Sequence, residues 1–504
     1  MRLNELIAHS RVTPYSCTGN TEVEIQGVTY DSRKIRPGYL FICIRGEHHD
    51  GHAYISEAAA KGAVAVVIDR ETEVQDTLGV VKVSNSREAL GDIAAAFYHN
   101  PSASMFCVGI TGTKGKTTTT YLIKSVLDKA GMSCGIIGTL GCVSRNLAIP
   151  AKHTTPESSD IQEFLGKMLA SEEKAVAMEV SSHAIALQRI RGIDFDVGVF
   201  TNIGHDHLDF HGSFSDYLAT KASFFENLEA LSGNQRMSKK TRTSIVNVDD
   251  PNSNSILSKV HTEVVTYGIS NGSAKITAKD LRLYGRATSF TACTPQGSFP
   301  VSLNLKGIFN VYNALAAIAC GLSRGLDPDT ISSGLQSLKG VPGRFESVDE
   351  GQPFQVVVDY AHTPDSLENI LREARHLGPG NLTVVFGCGG DRDRSKRPVM
   401  GRIAAALADR VIITSDNPRT ENADDICKEI EAGLLHEGRP RIGYEVIIDR
   451  TCAIKRAIFS AEEGDVLVIA GKGHETYQIF HDTTIHFDDR EVAASLLRER
   501  IKNA

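Results

Sequence analysis

Short apolar runs alternate with longer amphipathic stretches from the start of the chain. Apolar runs at residues 39–44, 63–68 and 80–83 predict β-strands, and the periodic pattern of residues 87–98 predicts a helix. The segment N-P-S at residues 100–102 follows. Because proline and asparagine interrupt regular structure, this segment predicts a domain boundary.

The next part of the chain repeats the alternation. Apolar runs at residues 105–110, 175–180 and 197–201 predict the strands of a second sheet. Their order is typical of a doubly wound α/β domain, whose ligands bind beyond the carboxyl ends of the strands. The polar stretch at residues 232–243 predicts an exposed loop.

A third block begins near residue 341. Its apolar runs predict strands at residues 355–359, 382–386, 410–414 and 466–470, and helices at residues 366–376 and 397–408. Such alternation predicts another mostly parallel sheet. The predicted fold class is therefore α/β, with three domains at residues 1–100, 101–338 and 339–504.

The loop after the strand at residues 105–110 carries the clearest chemistry, reading T-G-T-K-G-K-T-T. Its glycines free the backbone to curl around a polyphosphate at a helix start, where Lys116 can reach the terminal phosphates and the Thr117 hydroxyl can ligate Mg²⁺. The predicted ATP-binding residues are Gly112, Thr113, Lys114, Gly115, Lys116, Thr117 and Thr118. The usual phosphate-loop pattern has glycine where Ile110 stands, so this form indicates a narrower set of ATP users. The alternative is a Gly/Thr-rich turn without function.

Composition narrows the class of protein. The 504 residues are 41% hydrophobic and 23% charged, as in a globular protein with several domains. A net charge of −7 argues against a dedicated nucleic-acid binder.

Without a run of about 18 apolar residues or a secretory signal pattern, the chain is expected in the cytoplasm. The ten cysteines form no CxxC pair and no zinc-type Cys/His spacing, so they are interpreted as reduced thiols. Cys388 is interpreted as a small filler, with a nucleophile as the less favoured alternative.

Two segments offer metal ligands. Glu179 ends an apolar strand, where its carboxylate would emerge at the edge that carries the phosphate loop, and the segment from His205 through His207 to His211 follows the next strand. Oxygen and imidazole ligands there would suit the divalent cation that phosphoryl transfer needs. Polar loop residues that cap helices are the alternative.

Other candidates are weaker when taken alone. Lys221 lies in a helix-like stretch, where a surface lysine is the ordinary expectation. Asn310 and Asn313 fall on one helical face and could read the edge of adenine, although asparagines at a helix start are usually caps.

Basic and acidic groups accumulate in the third block. Arg344 lies in G-R-F-E, Asp359 and His362 lie in D-Y-A-H-T-P at a strand end, and Arg392 lies in the glycine-rich run G-C-G-G-D-R-D-R-S-K-R-P. This last run is dense in arginine and suits carboxylate or phosphate recognition.

These motifs match a known family in order and over nearly the whole chain. The matching blocks are Y-D-S-R-K-I-R-P-G near residue 30, the phosphate loop, H-T-T-P, E-V-S-S-H, D-H-L-D, G-K-G-H-E and F-D-D-R-E. The chain resembles the Mur ligases of bacterial peptidoglycan synthesis. The resemblance implies a domain that binds a uridine nucleotide, a central P-loop ATPase-type domain and a Rossmann-like C-terminal domain.

The resemblance also implies roles for individual residues. The implied Mg²⁺ ligands are Thr117, Glu179 and His207, and Lys221 resembles a lysine that reacts with CO₂ to form a carbamate ligand for a second Mg²⁺. Asn310 and Asn313 match an adenine-binding pair, Asp359 a ribose-binding acid and Arg344 a phosphate contact. Ser32, Thr154, Thr155, Ser181 and Arg189 match positions that hold a UDP-sugar-peptide. Where other members have asparagine and glutamine, this chain has His153 and Leu187, so sugar contacts there are left unassigned.

The amine acceptor is implied by another motif. Asp416, Asn417, Pro418 and Arg419 form the D-N-P-R sequence that resembles ligases for meso-diaminopimelate, and lysine-adding relatives lack that arginine. The chemistry of the two amines is consistent with this, because Arg419 and Arg392 can form bidentate ion pairs with the second carboxylate of meso-diaminopimelate, which lysine lacks. Glu475, with Gly471 nearby, resembles the partner of the distal amino-acid end.

The implied activity is that of an ATP- and Mg²⁺-dependent amide ligase. It would join meso-2,6-diaminopimelate to the D-glutamyl γ-carboxylate of UDP-N-acetylmuramoyl-L-alanyl-D-glutamate through an acyl phosphate, as a monomer without nucleic-acid partners or membrane insertion. A lysine-adding ligase and a folylpolyglutamate-synthase-like ligase are alternatives, and the N-terminal D-S-R-K-I-R-P-G block argues against the latter. A nucleotide-dependent binding protein, with ATP hydrolysis as a switch, is the alternative from another class.

Overall fold

The apolar runs become the buried strands of three main sheets in the computed structural model. It describes residues 1–46, 49–204, 206, 208–228, 241–283, 287–435 and 442–503, with side chains left out at residues 208 and 209. The chain divides into two compact units. One comprises Met1–Asp280, Phe290–Val301 and Val311–Ser337, and the other comprises Leu281–Ser289, Ser302–Asn310 and Leu338–Ala504.

The first sheet has the strand order β1-β5-β4-β3-β2 and is parallel except for β1. Its strands are β1 (Ser16–Thr18), β2 (Gly27–Thr29), β3 (Tyr39–Ile42), β4 (Ala63–Ile68) and β5 (Gly79–Lys82), and its helices are α1 (Leu3–His9), α2 (Ile55–Ala60) and α3 (Ser86–Phe97). Apolar clusters cover both of its faces, which explains why β4 is an almost unbroken apolar run.

The central sheet has eight strands in the order β13-β12-β11-β6-β10-β7-β8-β9. Its pairings are parallel except for β7–β8 and β8–β9, so β8 runs against the other strands of the sheet. The strands are β6 (Phe106–Thr111), β7 (Cys134–Gly138), β8 (Gly141–Ser144), β9 (Leu147–Ile149), β10 (Ala175–Glu179), β11 (Val197–Phe200), β12 (Thr243–Asn247) and β13 (Glu263–Tyr267). The helices are α4 (Lys116–Lys129), α5 (Ser158–Ala170), α6 (Ser182–Ala186), α7 (Leu208–His211), α8 (Phe214–Glu226) and α9 (Ser253–Leu257). Strand order reverses beside β6, which places the loop after β6 at the kind of crevice where α/β sheets bind ligands.

A small three-stranded sheet and two helices follow along the chain. The strands are β14 (Thr277–Arg282), β15 (Thr288–Thr294) and β16 (Gly297–Leu303), and the helices are α10 (Ile308–Ser323) and α11 (Pro328–Ser337).

The last large sheet has the order β17-β18-β22-β19-β20-β21, parallel except for β17, and a two-stranded sheet follows it. The strands are β17 (Glu346–Ser347), β18 (Gln355–Asp359), β19 (Leu382–Phe386), β20 (Arg410–Ile413), β21 (Gly443–Val446), β22 (Val466–Ala470), β23 (Tyr477–Phe480) and β24 (Thr483–His486). The helices are α12 (Pro364–Ala374), α13 (Lys396–Leu407), α14 (Ala423–Leu434), α15 (Arg450–Ser460) and α16 (Asp489–Lys502). Residues of α12 to α14 pack on one face of the sheet and residues of α15 and α16 on the other.

The predicted α/β class with doubly wound sheets is confirmed, and four predicted strands have the predicted bounds (β4, β18, β19 and β22). The predicted helix 366–376 begins earlier, at Pro364, because Thr363 caps it and proline is favoured at a first helical position. The predicted polar loop runs too far, since Thr243 already starts β12, and residues 229–240 lie outside the described part. The predicted boundaries near residues 100 and 338 remain predictions.

Candidate active site

A glycine-rich loop joins β6 to α4 at the carboxyl edge of the central sheet. Gly112 has a φ of 148° and Gly115 a φ of 83°, which residues with side chains rarely adopt. A Cβ on Gly112 would also lie 1.9 Å from the Thr201 Oγ1. The segment just after β11 holds the phosphate loop, because the Lys114 N–H donates to the Asn202 Oδ1 at 2.9 Å. The result is a rigid backbone cradle at a helix N-terminus, the kind of site that binds phosphate.

Two lysine amines meet at one carbonyl of this loop. The Lys116 Nζ donates to the carbonyl oxygens of Gly112 and Thr113, both at 2.9 Å, and the Lys221 Nζ donates to the same Gly112 oxygen at 2.9 Å. Lys221 is 1% exposed. Burial holds the pKa of Lys221 well below its ordinary value, and the charge of Lys116 lowers it further. A lysine that the sequence alone would place on the surface therefore lies inside the phosphate site.

Glu179 lies beside the loop and is also buried. The Thr117 hydroxyl donates to the Glu179 Oε2 at 3.1 Å, and the Thr139 N–H donates to the Glu179 Oε1 at 2.8 Å. Buried oxygen donors of this kind are those that Mg²⁺ prefers, so the residues present fit that ion. Within the described ranges no cluster of three His, Cys, Asp or Glu side chains could hold a metal by itself, and His205 and His207 fall outside those ranges.

A row of hydroxyl groups continues from Glu179. The Thr155 hydroxyl donates to the Glu179 carbonyl at 2.8 Å and lies 3.2 Å from the Ser181 Oγ, which in turn caps α6. The Thr154 and Thr139 hydroxyls lie 3.2 Å apart. These side chains line one continuous polar strip that begins at the phosphate loop.

Arg189 contacts the same strip, and the segment that contains Ser32 contacts the helix that follows the strip. The Arg189 guanidinium donates from Nη1 to the Thr155 carbonyl at 3.2 Å. Ser32 begins a short 3-10 helix, Ser32–Lys34, and the Lys34 Nζ reaches the Asp160 Oδ1 on α5 at 2.8 Å. Because α5 begins just after the two threonines, the Ser32 segment is linked to the polar strip through that helix.

Helix α10 carries the two asparagines. The Asn313 Oδ1 accepts a hydrogen bond from the Thr119 hydroxyl at 3.2 Å, and it lies 2.5 Å from where a Cβ on Gly115 would be. The Asn310 amide donates to the Lys306 carbonyl at 2.7 Å, in the first turn of the same helix. Asn313 therefore lies directly against the phosphate loop.

The loops after β20 and β22 form a separate polar cluster. The Asn417 Nδ2 donates to the Glu475 Oε2 at 2.8 Å, and the fully buried Lys472 donates to the Asn417 Oδ1 at 3.1 Å and to the Glu475 Oε2 at 3.2 Å. Burial raises the pKa of Glu475. A Cβ on Gly471 would lie 2.8 Å from the Asp416 Oδ2, so the two loops touch where Gly471 leaves room.

Arg419 points toward the glycine run after β19. Its φ is 53°, and its Nη1 donates to the Gly390 carbonyl at 2.7 Å. A Cβ on Gly389 would lie 2.9 Å from the Arg419 Nη1 and 3.9 Å from the Arg392 Cγ. The absence of a side chain at residue 389 thus leaves room for the Arg419 guanidinium and for the stem of Arg392, whose Nη1 donates to the Asp391 carbonyl at 3.0 Å. A guanidinium is suited to a carboxylate or a phosphate.

A buried ion pair supports the loops that follow β20 and β22. Arg450 and Asp489 are fully buried and joined by two hydrogen bonds of 2.7 Å. Arg450 also donates to the Ser415 carbonyl at 3.3 Å and to the Ala470 carbonyl at 3.0 Å. These carbonyls immediately precede the D-N-P-R and G-K-G-H-E segments, so one guanidinium fixes the start of both.

Asp359 and Arg344 lie at the end of β18. The Asp359 Oδ2 accepts a hydrogen bond from the Phe345 N–H at 2.7 Å, and the Arg344 guanidinium lies 5.2 Å from the Tyr360 ring. The His474 ring lies 4.9 Å from the same tyrosine. Burial and the charge of Arg344 lower the pKa of His474 to about 4, so this histidine is neutral near pH 7.

Three family models match successive parts of the chain. They are described as Mur ligase family, catalytic domain (residues 24–98), Mur ligase middle domain (residues 110–321) and Mur ligase, glutamate ligase domain (residues 343–473). The chain is 45% identical over 504 residues to the UDP-N-acetylmuramoyl-L-alanyl-D-glutamate--2,6-diaminopimelate ligase of Syntrophomonas wolfei, with all of both chains covered. It is 44% identical over 501 residues to the ligase of that name from Geobacillus kaustophilus, covering 99% of this chain and 100% of the relative. The chain belongs to the Mur ligase family.

Solved structures show the same fold. One, of a UDP-N-acetylmuramoyl-L-alanyl-D-glutamate--2,6-diaminopimelate ligase, is 29% identical with a TM-score of 0.71 and covers 99% of both chains. A MurF ligase from Thermotoga maritima in complex with ADP is 20% identical with a TM-score of 0.62, covering 95% of this chain and 98% of that one. The second likeness concerns the fold alone.

The structure brings most of the predicted site residues of this Mur ligase into two groups. The phosphate-loop group comprises residues 112–118, Glu179, Lys221 and Asn313, continued by Thr154, Thr155, Ser181 and Arg189. The second group comprises Arg392, residues 416–419, Gly471 and Glu475. Asn310, Arg344, Asp359 and Ser32 have the local surroundings given above, and the roles of all these residues remain predictions.

Several supporting residues of this Mur ligase were missed in the sequence. Thr139 and Glu157 contact predicted residues but lie in no phosphate or metal pattern. Lys472 and Asp489 do lie inside two of the matched blocks, G-K-G-H-E and F-D-D-R-E, which was a usable signal. Arg450 had no local signal, because its importance comes only from what it contacts in the folded chain.

Proposed function

We propose that this Mur ligase uses ATP to join meso-2,6-diaminopimelate to the D-glutamyl γ-carboxylate of UDP-N-acetylmuramoyl-L-alanyl-D-glutamate, in the synthesis of peptidoglycan precursors. The proposal is supported by full-length similarity to ligases that carry this name. The observation that supports the choice of acceptor is the position of Arg419, whose guanidinium lies beside Gly389, where the stem of Arg392 also passes. The cytoplasm and a monomeric state are part of the proposal.

The chain's own residues supply the charge that activation of the carboxylate requires. A carboxylate resists attack by an amine until one oxygen becomes part of a good leaving group, here the phosphate of an acyl phosphate. The loop N–H groups and Lys116 would hold the phosphate groups of ATP and stabilise the charge that develops during transfer. Thr117, Glu179 and His207 would hold Mg²⁺, which neutralises phosphate charge when bound.

Lys221 has a separate role in the proposal. Its amine would add to CO₂ and lose a proton, which gives a carbamate anion that serves as an oxygen ligand for a second Mg²⁺. The buried contact with the Gly112 carbonyl beside Lys116 supports this role, because burial and the charge of Lys116 lower the pKa of Lys221 and so favour the neutral amine, the form that reacts with CO₂. The reaction converts that neutral amine into an anion.

The remaining residues would recognise the substrates. Asn310 and Asn313 would bind adenine, Asp359 the ribose and Arg344 a phosphate. Ser32, Thr154, Thr155, Ser181 and Arg189 would hold the UDP-sugar-peptide. Arg419 and Arg392 would pair with one carboxylate of meso-diaminopimelate, and Asp416, Asn417, Gly471 and Glu475 would surround its distal end.

The test is phosphate release by the purified protein with ATP, Mg²⁺ and UDP-N-acetylmuramoyl-L-alanyl-D-glutamate, across a panel of amines. We expect release to depend on meso-diaminopimelate and to be much slower with L-lysine. Equal release with L-lysine would reassign the acceptor. Slow release that no amine changes would favour a nucleotide-dependent binding protein over a ligase.

A further inference from the structure

Glu157 occupies the cap position of α5 but does not cap it. Asp, Asn, Ser or Thr at such a position usually accepts a hydrogen bond from the first turn of the helix. The Glu157 side chain makes no cap hydrogen bond. Its Oε1 accepts from the Arg189 Nε at 2.9 Å, and its Oε2 lies 3.4 Å from the Arg87 Nη1. The carboxylate therefore serves two arginines instead of its own helix.

The contact with Arg189 fixes the plane of a guanidinium. Arg189 donates from Nε to Glu157 and from Nη1 to the Thr155 carbonyl. Two donors of one planar group, held by two acceptors on one short segment, leave its orientation little freedom. Glu157 is 7% exposed, so water competes weakly for this pairing.

The contact with Arg87 reaches into the first sheet region. Arg87 lies on α3, and its Nε donates to the Arg45 carbonyl, just beyond β3, at 3.1 Å. A second tie starts one turn further along α5, where Asp160 binds Lys34 at 2.8 Å and the Tyr30 hydroxyl at 3.3 Å. The start of α5 thus connects the Y-D-S-R-K segment, the residue 45 segment and Arg189.

We propose that Glu157 is a positioning residue for the UDP-sugar-peptide: it holds the Arg189 guanidinium in its binding orientation and links it through Arg87 to the first sheet region. The inference rests on the proposed function, since it assumes that Arg189 contacts this substrate. Glu157 itself acts through Arg189.

The test is direct binding of UDP-N-acetylmuramoyl-L-alanyl-D-glutamate by calorimetry in the absence of ATP, with ADP binding measured separately. Losing one charge-assisted contact predicts that Glu157→Gln weakens UDP-substrate binding about tenfold and leaves ADP binding unchanged. The matched control is Glu163→Gln, on the same helix, whose partner is the nearby Lys167; it should bind both ligands as the wild type does. Arg87→Gln, which removes the other partner, should weaken substrate binding about threefold.

A double-mutant cycle separates positioning from general loosening of the fold. If Glu157 acts through Arg189, Glu157→Gln adds little once Arg189→Ala is present. Full additivity, or wild-type substrate binding by Glu157→Gln, would overturn the proposal while leaving the proposed function intact. A wild-type protein that binds ADP but not the UDP-sugar-peptide would overturn both.

Discussion

The phosphate loop of the central sheet and the acceptor loops of the last sheet hold their functional groups in different ways. In the phosphate loop the backbone itself sets the arrangement. Two glycines have positive φ, and loop carbonyls accept hydrogen bonds from Lys116 and Lys221. The glycines, Lys116 and Thr117 that set this arrangement lie in one short run of sequence, although Glu179, Thr201, Asn202, Lys221 and Asn313 reach the loop from elsewhere in the chain.

The acceptor loops depend on side chains from distant parts of the chain. Arg450 pairs with Asp489 and supports two loops, while Lys472 joins Asn417 to Glu475. Buried charges of this kind are costly unless every partner is present. The comparison indicates that the phosphate loop keeps its shape through its own backbone, so that loss of one side chain such as Lys116 should affect catalysis rather than the fold of the loop. The acceptor loops instead depend on several buried side chains at once.

The largest expected effect is at the phosphate loop. Lys116→Ala should lower kcat by at least about 10³-fold, because it removes a positive charge that phosphoryl transfer needs. The fold should persist, since Lys116 is part-buried, lies outside the buried core and donates from its Nζ to the loop carbonyls of Gly112 and Thr113. Phosphate release and thermal unfolding would be measured beside Lys129→Ala, an exposed residue at the far end of α4. Substantial ligase activity in a folded Lys116→Ala protein would remove the phosphate-loop assignment.

Lys221→Ala should be nearly as damaging, with activity reduced about 10²–10³-fold. Added bicarbonate should not restore it, because no amine remains to form a carbamate. A small carboxylate such as acetate should restore part of the activity by replacing the lost oxygen ligand. The control is Lys259→Ala, at an exposed ion pair with Glu226. Crystallographic detection of a bare Lys221 amine in the fully active, Mg²⁺-bound enzyme would contradict the carbamate.

The sequence predicted more of the phosphate site than of the acceptor site for a physical reason. Glycine spacing, Lys116 and Thr117 report a local backbone conformation, so a short window contains the information. Lys221 looked like a surface residue until the family resemblance was considered, and its burial depends on how α8 packs. Arg450 could not be chosen from its surroundings in sequence, because its partner Asp489 is 39 residues away.

Arg419→Ala should reduce kcat/KM for meso-diaminopimelate by about two orders of magnitude, since a substrate carboxylate taken from water would lose its charged partner. The KM for ATP should change little, and the preference over L-lysine should narrow. Arg402→Ala, an exposed arginine on α13, is the matched control. If the ratio of kcat/KM for meso-diaminopimelate to that for L-lysine is unchanged, the D-N-P-R segment does not select the acceptor. The side chains that hold the acceptor loops would then have no part in substrate choice.

The smallest effect is expected at Cys388, which lies in the glycine run next to the acceptor arginines. The thiol is buried, its Sγ lies 3.7 Å from the Met400 Sδ, and burial raises its pKa to about 12. A neutral thiol is a poor nucleophile near pH 7, so the side chain serves packing.

Cys388→Ala should leave kcat/KM within about twofold of wild type and cost about 1 kcal/mol of stability. Cys427→Ala, a buried thiol of the same core, should behave alike in activity and thermal-unfolding measurements. A tenfold loss of activity in Cys388→Ala, but not in Cys427→Ala, would contradict a packing role and indicate that the Cys388 thiol takes part in the reaction.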